Sequence, residues 1–192
     1  LHSKNIDDLY LNLISTIKNP TEWLISSEEH SRPNYNFDPK ISGIERMMIK
    51  DLVGYLPTDI LTKVDRTSMA VSLEARTPFL DKEIVKFALT LPLEYKIKAG
   101  VGKSVLRDVL YKYVPRNMIE KPKMGFGVPL AEWMRGELRV WCEDLLNEKK
   151  LKEDGFFNSK VIREKWNEHL KGDVDWHHQL WNVLVFQAWL QN

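Results

Sequence analysis

Three stretches of this chain set residue types that can do chemistry at useful spacings. In Ala99-Gly100-Val101-Gly102-Lys103-Ser104-Val105-Leu106-Arg107 a glycine-bearing turn runs into an amphipathic helix with Val105, Leu106, Val109, Leu110 and Tyr113 on one side. A helix start offers free N–H groups and positive partial charge, so anions bind there readily. Lys103 at that point opposes the helix dipole, at a cost of roughly a few tenths of a kcal/mol, unless an anionic ligand reverses the sign. Arg107, one turn later, could reach the same ligand. The competing reading leaves Lys103 simply solvated. The stretch is not a Walker-type phosphate loop, because the position five residues before Gly102 is not glycine.

The second stretch is Glu120-Lys121-Pro122-Lys123-Met124-Gly125-Phe126-Gly127-Val128-Pro129, two lysines followed by a glycine-rich run. Between Glu94 and Lys123 eight Lys and Arg face three acids, an environment suited to polyphosphate in a chain whose net charge is only +1. A solvated basic loop is the plain alternative. The third stretch, Ser72-Leu73-Glu74-Ala75-Arg76-Thr77-Pro78-Phe79-Leu80-Asp81, places Glu74, Arg76 and Asp81 among apolar residues. Charges in such a setting pair when buried, and here they either hold a turn and a helix start or touch substrate. Upstream, Asp59 and Lys63 are spaced to pair on one helix face, with Asp65 and Arg66 beside them. The five His show no metal-ligand spacing, so no structural metal is expected.

The elements that must carry these residues read as mostly α. Apolar residues recur at helical spacing in Ile60, Leu61 and Val64, then in Ile84, Val85, Ala88 and Leu91. Pro57 can open a helix, Asp81 can cap one that Pro92 ends, and Asn158 and Asp175 suit the caps of two later ones. The polar, proline-bearing residues 26–43 read as a loop. The chain therefore divides into residues 1–43, an amino-terminal helix and polar loop, and residues 44–192, the main helical body. The last helix, from Trp176 to about Leu190, is apolar on nearly every face and should pack on several sides. No run of strands is present from which a parallel sheet could be built.

Composition bounds the rest. With 192 residues, 43% hydrophobic content and seven Trp, the chain can bury a core and is not of the disordered type. Near-neutral charge gives no reason to expect nucleic acid or an anionic membrane as partner. Lone Cys142 falls in the periodic set Leu138, Trp141, Cys142, Leu145 and reads as core; the cytoplasm is the default compartment. The start, Leu1-His2-Ser3-Lys4, has no signal-peptide organisation and no initiator Met, which reads as a fragment of a longer protein.

Taken in order, Tyr55-Leu56-Pro57-Thr58-Asp59-Ile60-Leu61-Thr62-Lys63-Val64-Asp65-Arg66, the three stretches above, Trp133-Met134-Arg135-Gly136 and the terminal Leu180-Trp181-Asn182-Val183-Leu184-Val185-Phe186-Gln187-Ala188-Trp189-Leu190 resemble the asparagine synthase family from about Arg46 onward. The resemblance implies the helical, carboxyl-terminal portion of an α/β synthetase domain of the ATP-pyrophosphatase, adenine nucleotide α-hydrolase-like type, its parallel sheet lying upstream. It further implies that ATP and Mg2+ activate the aspartate β-carboxylate as an acyl-adenylate. Ammonia, released from glutamine by an amino-terminal glutaminase, then displaces AMP.

By the same resemblance Lys123 matches the lysine that stabilises pyrophosphate and developing charge, with Lys121 two residues away as the alternative in register. Lys103 matches the lysine of a Gly-Lys-x-x-Leu-Arg stretch in phosphate contact. Glu74, Arg76 and Asp81 match a site-shaping Glu-x-Arg-x-Pro-Phe-Leu-Asp motif, with Asp59, Arg107 and Gly125 in supporting places. The family's Ser-Gly-Gly-x-Asp-Ser loop, its Gly-Asp-Glu segment and the glutaminase do not occur in this sequence, so the piece alone is expected to be inactive and to need those segments as partners. Self-association into a homo-oligomer is a further expectation. Two alternatives stand beside this: an amidotransferase of the same family acting on another carboxylate, such as a polysaccharide sugar acid, and a helical interaction module without catalysis.

Overall fold

Helix starts and stops follow local capping chemistry through the computed structural model, which describes residues 3–26, 35–122 and 127–191. Helix α1 (Ile6–Ile14) begins at Asn5, whose side chain accepts from the Asp8 N–H at 2.8 Å, and the short α2 (Pro20–Trp23) opens on proline. Helix α3 (Gly43–Val53) begins at a reciprocal capping box between Ser42 and Glu45, a Ser-x-x-Glu signature readable in the sequence. A π-helical segment (Leu56–Leu61) and α4 (Thr62–Met69) follow almost without a break. Pro57 thus opens only the π-helical segment, in a helical run that begins at the Ser42 cap. There Thr58 donates to the Gly54 carbonyl at 2.7 Å and Thr62 to the Pro57 carbonyl at 2.9 Å, serving acceptors that the wide turn leaves open.

After a 3-10 turn (Pro78–Leu80), Asp81 caps α5 (Lys82–Thr90) by accepting from the Glu83 and Ile84 N–H groups at 2.9 and 3.3 Å. Pro92 separates α5 from α6 (Leu93–Lys96), as its missing N–H and fixed φ require. Strands β1 (Ile97–Lys98) and β2 (Val101–Gly102) form an antiparallel hairpin, Ile97 opposite Gly102 and Lys98 opposite Val101. Its two connecting residues, Ala99 and Gly100, both have positive φ, 49° and 78°. That combination defines a tight turn whose twist matches the strands. The remaining helices are α7 (Ser104–Leu110), α8 (Arg116–Ile119), α9 (Leu130–Arg135), α10 (Arg139–Leu145), α11 (Glu148–Asp154), α12 (Ser159–Lys171) and α13 (His177–Leu190). The fold is mostly α, and the two-residue strands are the only sheet among the described residues.

The chain folds as two compact units, Leu1–Asn36 with Phe126–Asn192, and Phe37–Gly125. In the first unit Asn158 donates its N–H to the Trp23 carbonyl at 2.8 Å and Ile25 to the Phe156 carbonyl at 3.0 Å. These bonds pin the amino-terminal segment to the turn between α11 and α12, grouping it with residues far along the sequence. The core of this unit is Met134, Cys142, Leu145, Leu146, Leu151, Ile162, Trp166, Leu180 and Leu184, each at most 1% exposed. Burial of each large apolar side chain there contributes about 1.5–3 kcal/mol.

Helix α13 buries Leu180, Val183, Leu184 and Gln187, one stripe at helical spacing. Trp189 is 67% exposed on the same helix, so this element buries a single face within its unit rather than all of them. Asn158 caps α12, accepting from the Val161 N–H at 3.4 Å. Asp175 does not cap α13: Trp176 holds the cap position, and the Asp175 carboxylate pairs instead with Arg135.

The second unit contrasts sharply in burial. None of its described apolar side chains is buried; only Ser104 is, while Phe79, Phe87 and Tyr113 are 64%, 61% and 80% exposed. Its helices are held by caps, short-range contacts and the hairpin, and among the described residues no apolar side chain is enclosed.

Candidate functional site

Ser104, the one buried residue among those described in the second unit, anchors the lysine-bearing turn. Its hydroxyl donates to the Tyr95 carbonyl at 2.6 Å, tying the first residue of α7 to the end of α6. The hairpin between them must return within a few residues, and it does so by three left-handed residues, Ala99, Gly100 and Lys103. Only glycine takes that conformation without steric cost. Lys103 therefore sits at φ 60°, at the cap position of α7, exposed, with no hydrogen bond or ion pair from its side chain among the described residues. Backbone strain at such a position is characteristic of functional sites.

Arg107 is committed differently. Its Nε donates to the Gly102 carbonyl at 3.1 Å and its Nη1 to the Tyr111 hydroxyl at 3.1 Å. That hydroxyl donates in turn to the Glu120 carboxylate at 2.8 Å, and the Arg116 guanidinium lies 4.8 Å from the Tyr111 ring centroid. The Tyr111 contact follows from the four-residue spacing on α7 and could have been read from sequence. Glu120 arrives from beyond a turn, and no local pattern announces it. Beside the hairpin, Glu94, Tyr95, Lys98, Ser104, Val105 and Asp108 line an open cleft of about 340 Å³.

The other expected residues lie apart from this cluster in bonding terms. Arg76 pairs with Glu74 at 3.0 Å, with 81% and 68% of the side chains exposed, so the pair is solvated rather than buried. Exposed pairs of this kind contribute little to stability. Asp81 serves as the α5 cap. Asp59 and Lys63 pair at 3.2 Å on the helical run. No hydrogen bond or ion pair joins Glu74, Arg76, Asp81 or Asp59 to Lys103 among the described residues. Lys123 and Gly125 lie outside the described residues. No group of three His, Cys, Asp or Glu among the described residues is arranged to hold a metal ion.

A further polar cluster lies in the first unit. Arg135 Nε donates to the His169 carbonyl at 2.7 Å while its Nη2 pairs with Asp175. Burial, with the Arg135 charge second, pushes the His169 imidazole below its usual range, and burial does the same to His177. Nearby, Glu143 accepts from Arg163 at 2.6 Å and from the Trp166 indole. The Arg163 bond holds its carboxyl below the usual range. These groups brace α9, α10, α12 and α13.

The chain is mostly helical, and its exposed Lys103 stands on a strained turn in a basic stretch. Comparison with known proteins makes the class specific: the model of the asparagine synthase family matches residues 2–191. The chain is 30% identical over 165 residues to asparagine synthetase [glutamine-hydrolyzing] 1 of Bacillus subtilis, covering 86% of this chain and 26% of that protein. It is 36% identical over 147 residues to a putative asparagine synthetase [glutamine-hydrolyzing] of Mycobacterium bovis, covering 76% of this chain and 22% of the relative. It is 27% identical over 143 residues to the human asparagine synthetase [glutamine-hydrolyzing], covering 64% and 24%. No solved structure matches with significance. The chain belongs to the asparagine synthase family and spans about a quarter of the length of the relatives it matches.

Proposed function

We propose that the protein carrying this chain is an ATP-dependent carbon–nitrogen ligase that converts aspartate to asparagine with ammonia drawn from glutamine. The observation that carries the reading is Lys103, an ammonium with no partner among the described residues on a left-handed turn, within the family's Gly-Lys-x-x-Leu-Arg stretch. An aspartate β-carboxylate oxygen attacks the α-phosphorus of ATP, the α–β phosphoanhydride bond breaks, and pyrophosphate departs with added negative charge. Fixed positive charge does most where negative charge grows, and Lys103 with Lys123 supplies it in this reading. Ammonia then attacks the acyl carbon, loses a proton, and AMP leaves.

Magnesium chemistry belongs to this reaction class; among the described residues no group of three His, Cys, Asp or Glu is arranged to hold the ion. Glu74, Arg76, Asp81 and Asp59 act on this reading by shaping the turn and helix starts around the substrates. The exposed apolar side chains of the second unit, Phe79 and Phe87 among them, pack on the nucleotide-binding part of the same domain. The glutaminase supplies the ammonia.

The test uses the full-length protein with ATP, Mg2+, aspartate and either glutamine or ammonia, following asparagine and pyrophosphate. Lys103→Ala and Lys123→Ala are each expected to lower turnover about 10²–10³-fold with both nitrogen sources. Wild-type protein that forms pyrophosphate only when aspartate is replaced by a sugar acid would move the acceptor to that carboxylate. Wild type inactive on every carboxylate, with both lysines replaceable, would leave a binding module.

A further inference from the structure

Lys103 keeps a conformation that a lysine does not choose. A non-glycine residue in the left-handed region is strained and persists only when its surroundings fix it. Two things fix it here: the buried Ser104 hydroxyl on the Tyr95 carbonyl, after Lys103, and the Arg107 Nε on the Gly102 carbonyl, before it. The second is not an isolated bond. Arg107 is itself oriented by its Nη1 on the Tyr111 hydroxyl, and that hydroxyl passes its own proton toward the Glu120 carboxylate.

Cation, hydroxyl and carboxylate stand in one series, each bond polarising the next in the same direction. Tyr111 closes α7 and Glu120 closes α8, so the series joins two helix ends to the hairpin. In sequence Glu120 stands three positions before Lys123 and one before Lys121. The hairpin with its free lysine and the origin of the second lysine-bearing stretch are thereby locked to each other within one unit.

We propose that Tyr111 and Glu120 are positioning residues that act through Arg107 to hold Lys103 in its working orientation, and that Arg107 is a brace rather than a phosphate contact. The proposal rests on the ligase reading above. It accounts for why two of the Arg107 nitrogens face protein acceptors. It also accounts for a tyrosine 80% exposed at Tyr113 while its neighbour Tyr111, two positions earlier, is drawn in by its bonds.

The experiment compares Tyr111→Phe, Glu120→Ala, Glu120→Gln and the double variant Tyr111→Phe/Glu120→Ala with wild type and Lys103→Ala in the full-length protein. Tyr111→Phe keeps the ring under Arg116 and loses only the hydroxyl. It and Glu120→Ala are expected to lower kcat about tenfold, with KM for aspartate within about twofold of wild type, as a displaced reacting group does. Glu120→Gln, whose amide oxygen still accepts the tyrosine proton, should recover most of that loss. The double variant should be no slower than either single one, because both break the same series. A merely structural role would lower the melting temperature and leave kcat per folded molecule unchanged. Full turnover in Tyr111→Phe beside a slowed Lys103→Ala overturns the positioning role of the series alone. Full turnover in Lys103→Ala overturns the ligase reading of that lysine, and the positioning role of the series with it.

Discussion

Arg135 and Asp175 pair side chain to side chain across 40 positions of sequence, and the same guanidinium donates to the His169 carbonyl at 2.7 Å. One side chain therefore ties the end of α9 to the end of α12 and the approach to α13. Arg135→Ala leaves the partly buried His169 carbonyl without that donor, and the unit should lose about 1–2 kcal/mol of stability. Asp175→Asn, which removes a charge that is largely solvated, should cost clearly less. Urea denaturation of the two variants checks the order; a larger loss for Asp175→Asn would show that the ion pair, not the carbonyl, is the brace.

The same cluster makes stability depend on pH. The buried His169 faces Arg135 from α9, Asp175 from the loop, His177 from α13 and Trp166 from its own helix. His169 and His177 both titrate below their usual value of 6.5, through burial first. The unfolded chain then binds protons that the folded chain refuses, so stability is complete above about pH 6.5 and falls as the pH drops below it. Asp175 and Glu143, held low by Arg135 and Arg163, add a second loss only below the ordinary carboxylate range. Unfolding free energies at about pH 7.5 and 5.5 should differ in wild type, and the difference should shrink in His169→Gln. An equal slope in the two proteins would remove His169 from the effect.

Lys103 offers a separation of stability from activity. Glycine takes φ 60° without strain, so Lys103→Gly should raise the stability of the second unit by about 0.5–1 kcal/mol while lowering ligase turnover as far as Lys103→Ala does. Thermal melting and product formation on the same preparation decide it. A destabilised Lys103→Gly would mean that the lysine side chain, not the turn, holds the hairpin.

Local chemistry was legible in the sequence and distant chemistry was not. Asp81 and Asn158 cap the helices their types suggest, and Cys142 lies in the core its spacing indicates, because each depends on residues within a turn or two. Asp175 has the same capping type at an equally suitable place, yet Arg135 takes its carboxylate, and no pattern within α13 announces a partner 40 positions back. The Ser42 and Glu45 box was readable and moves the helical run well ahead of Pro57. At the candidate site, the spacing of Lys103 and Arg107 suggested two cations on one ligand. The structure instead turns Arg107 back onto Gly102 and Tyr111, because a left-handed residue between a hairpin and a helix brings that carbonyl within its reach.

Cys142 should be chemically silent until the first unit unfolds. It is fully buried on α10, and burial pushes its thiol up to about 11. At about pH 8 only roughly a thousandth of such thiols are ionised, and the thiolate is the reactive form. A thiol reagent should therefore modify native protein far more slowly than protein in denaturant, with the rate following the unfolded fraction. Cys142→Ala removes a small apolar group and should cost less than Cys142→Ser, which buries a hydroxyl without an assigned partner at about 1–3 kcal/mol. Fast labelling of native protein, together with an unchanged melting temperature in Cys142→Ser, would place this side chain at a surface rather than in the core.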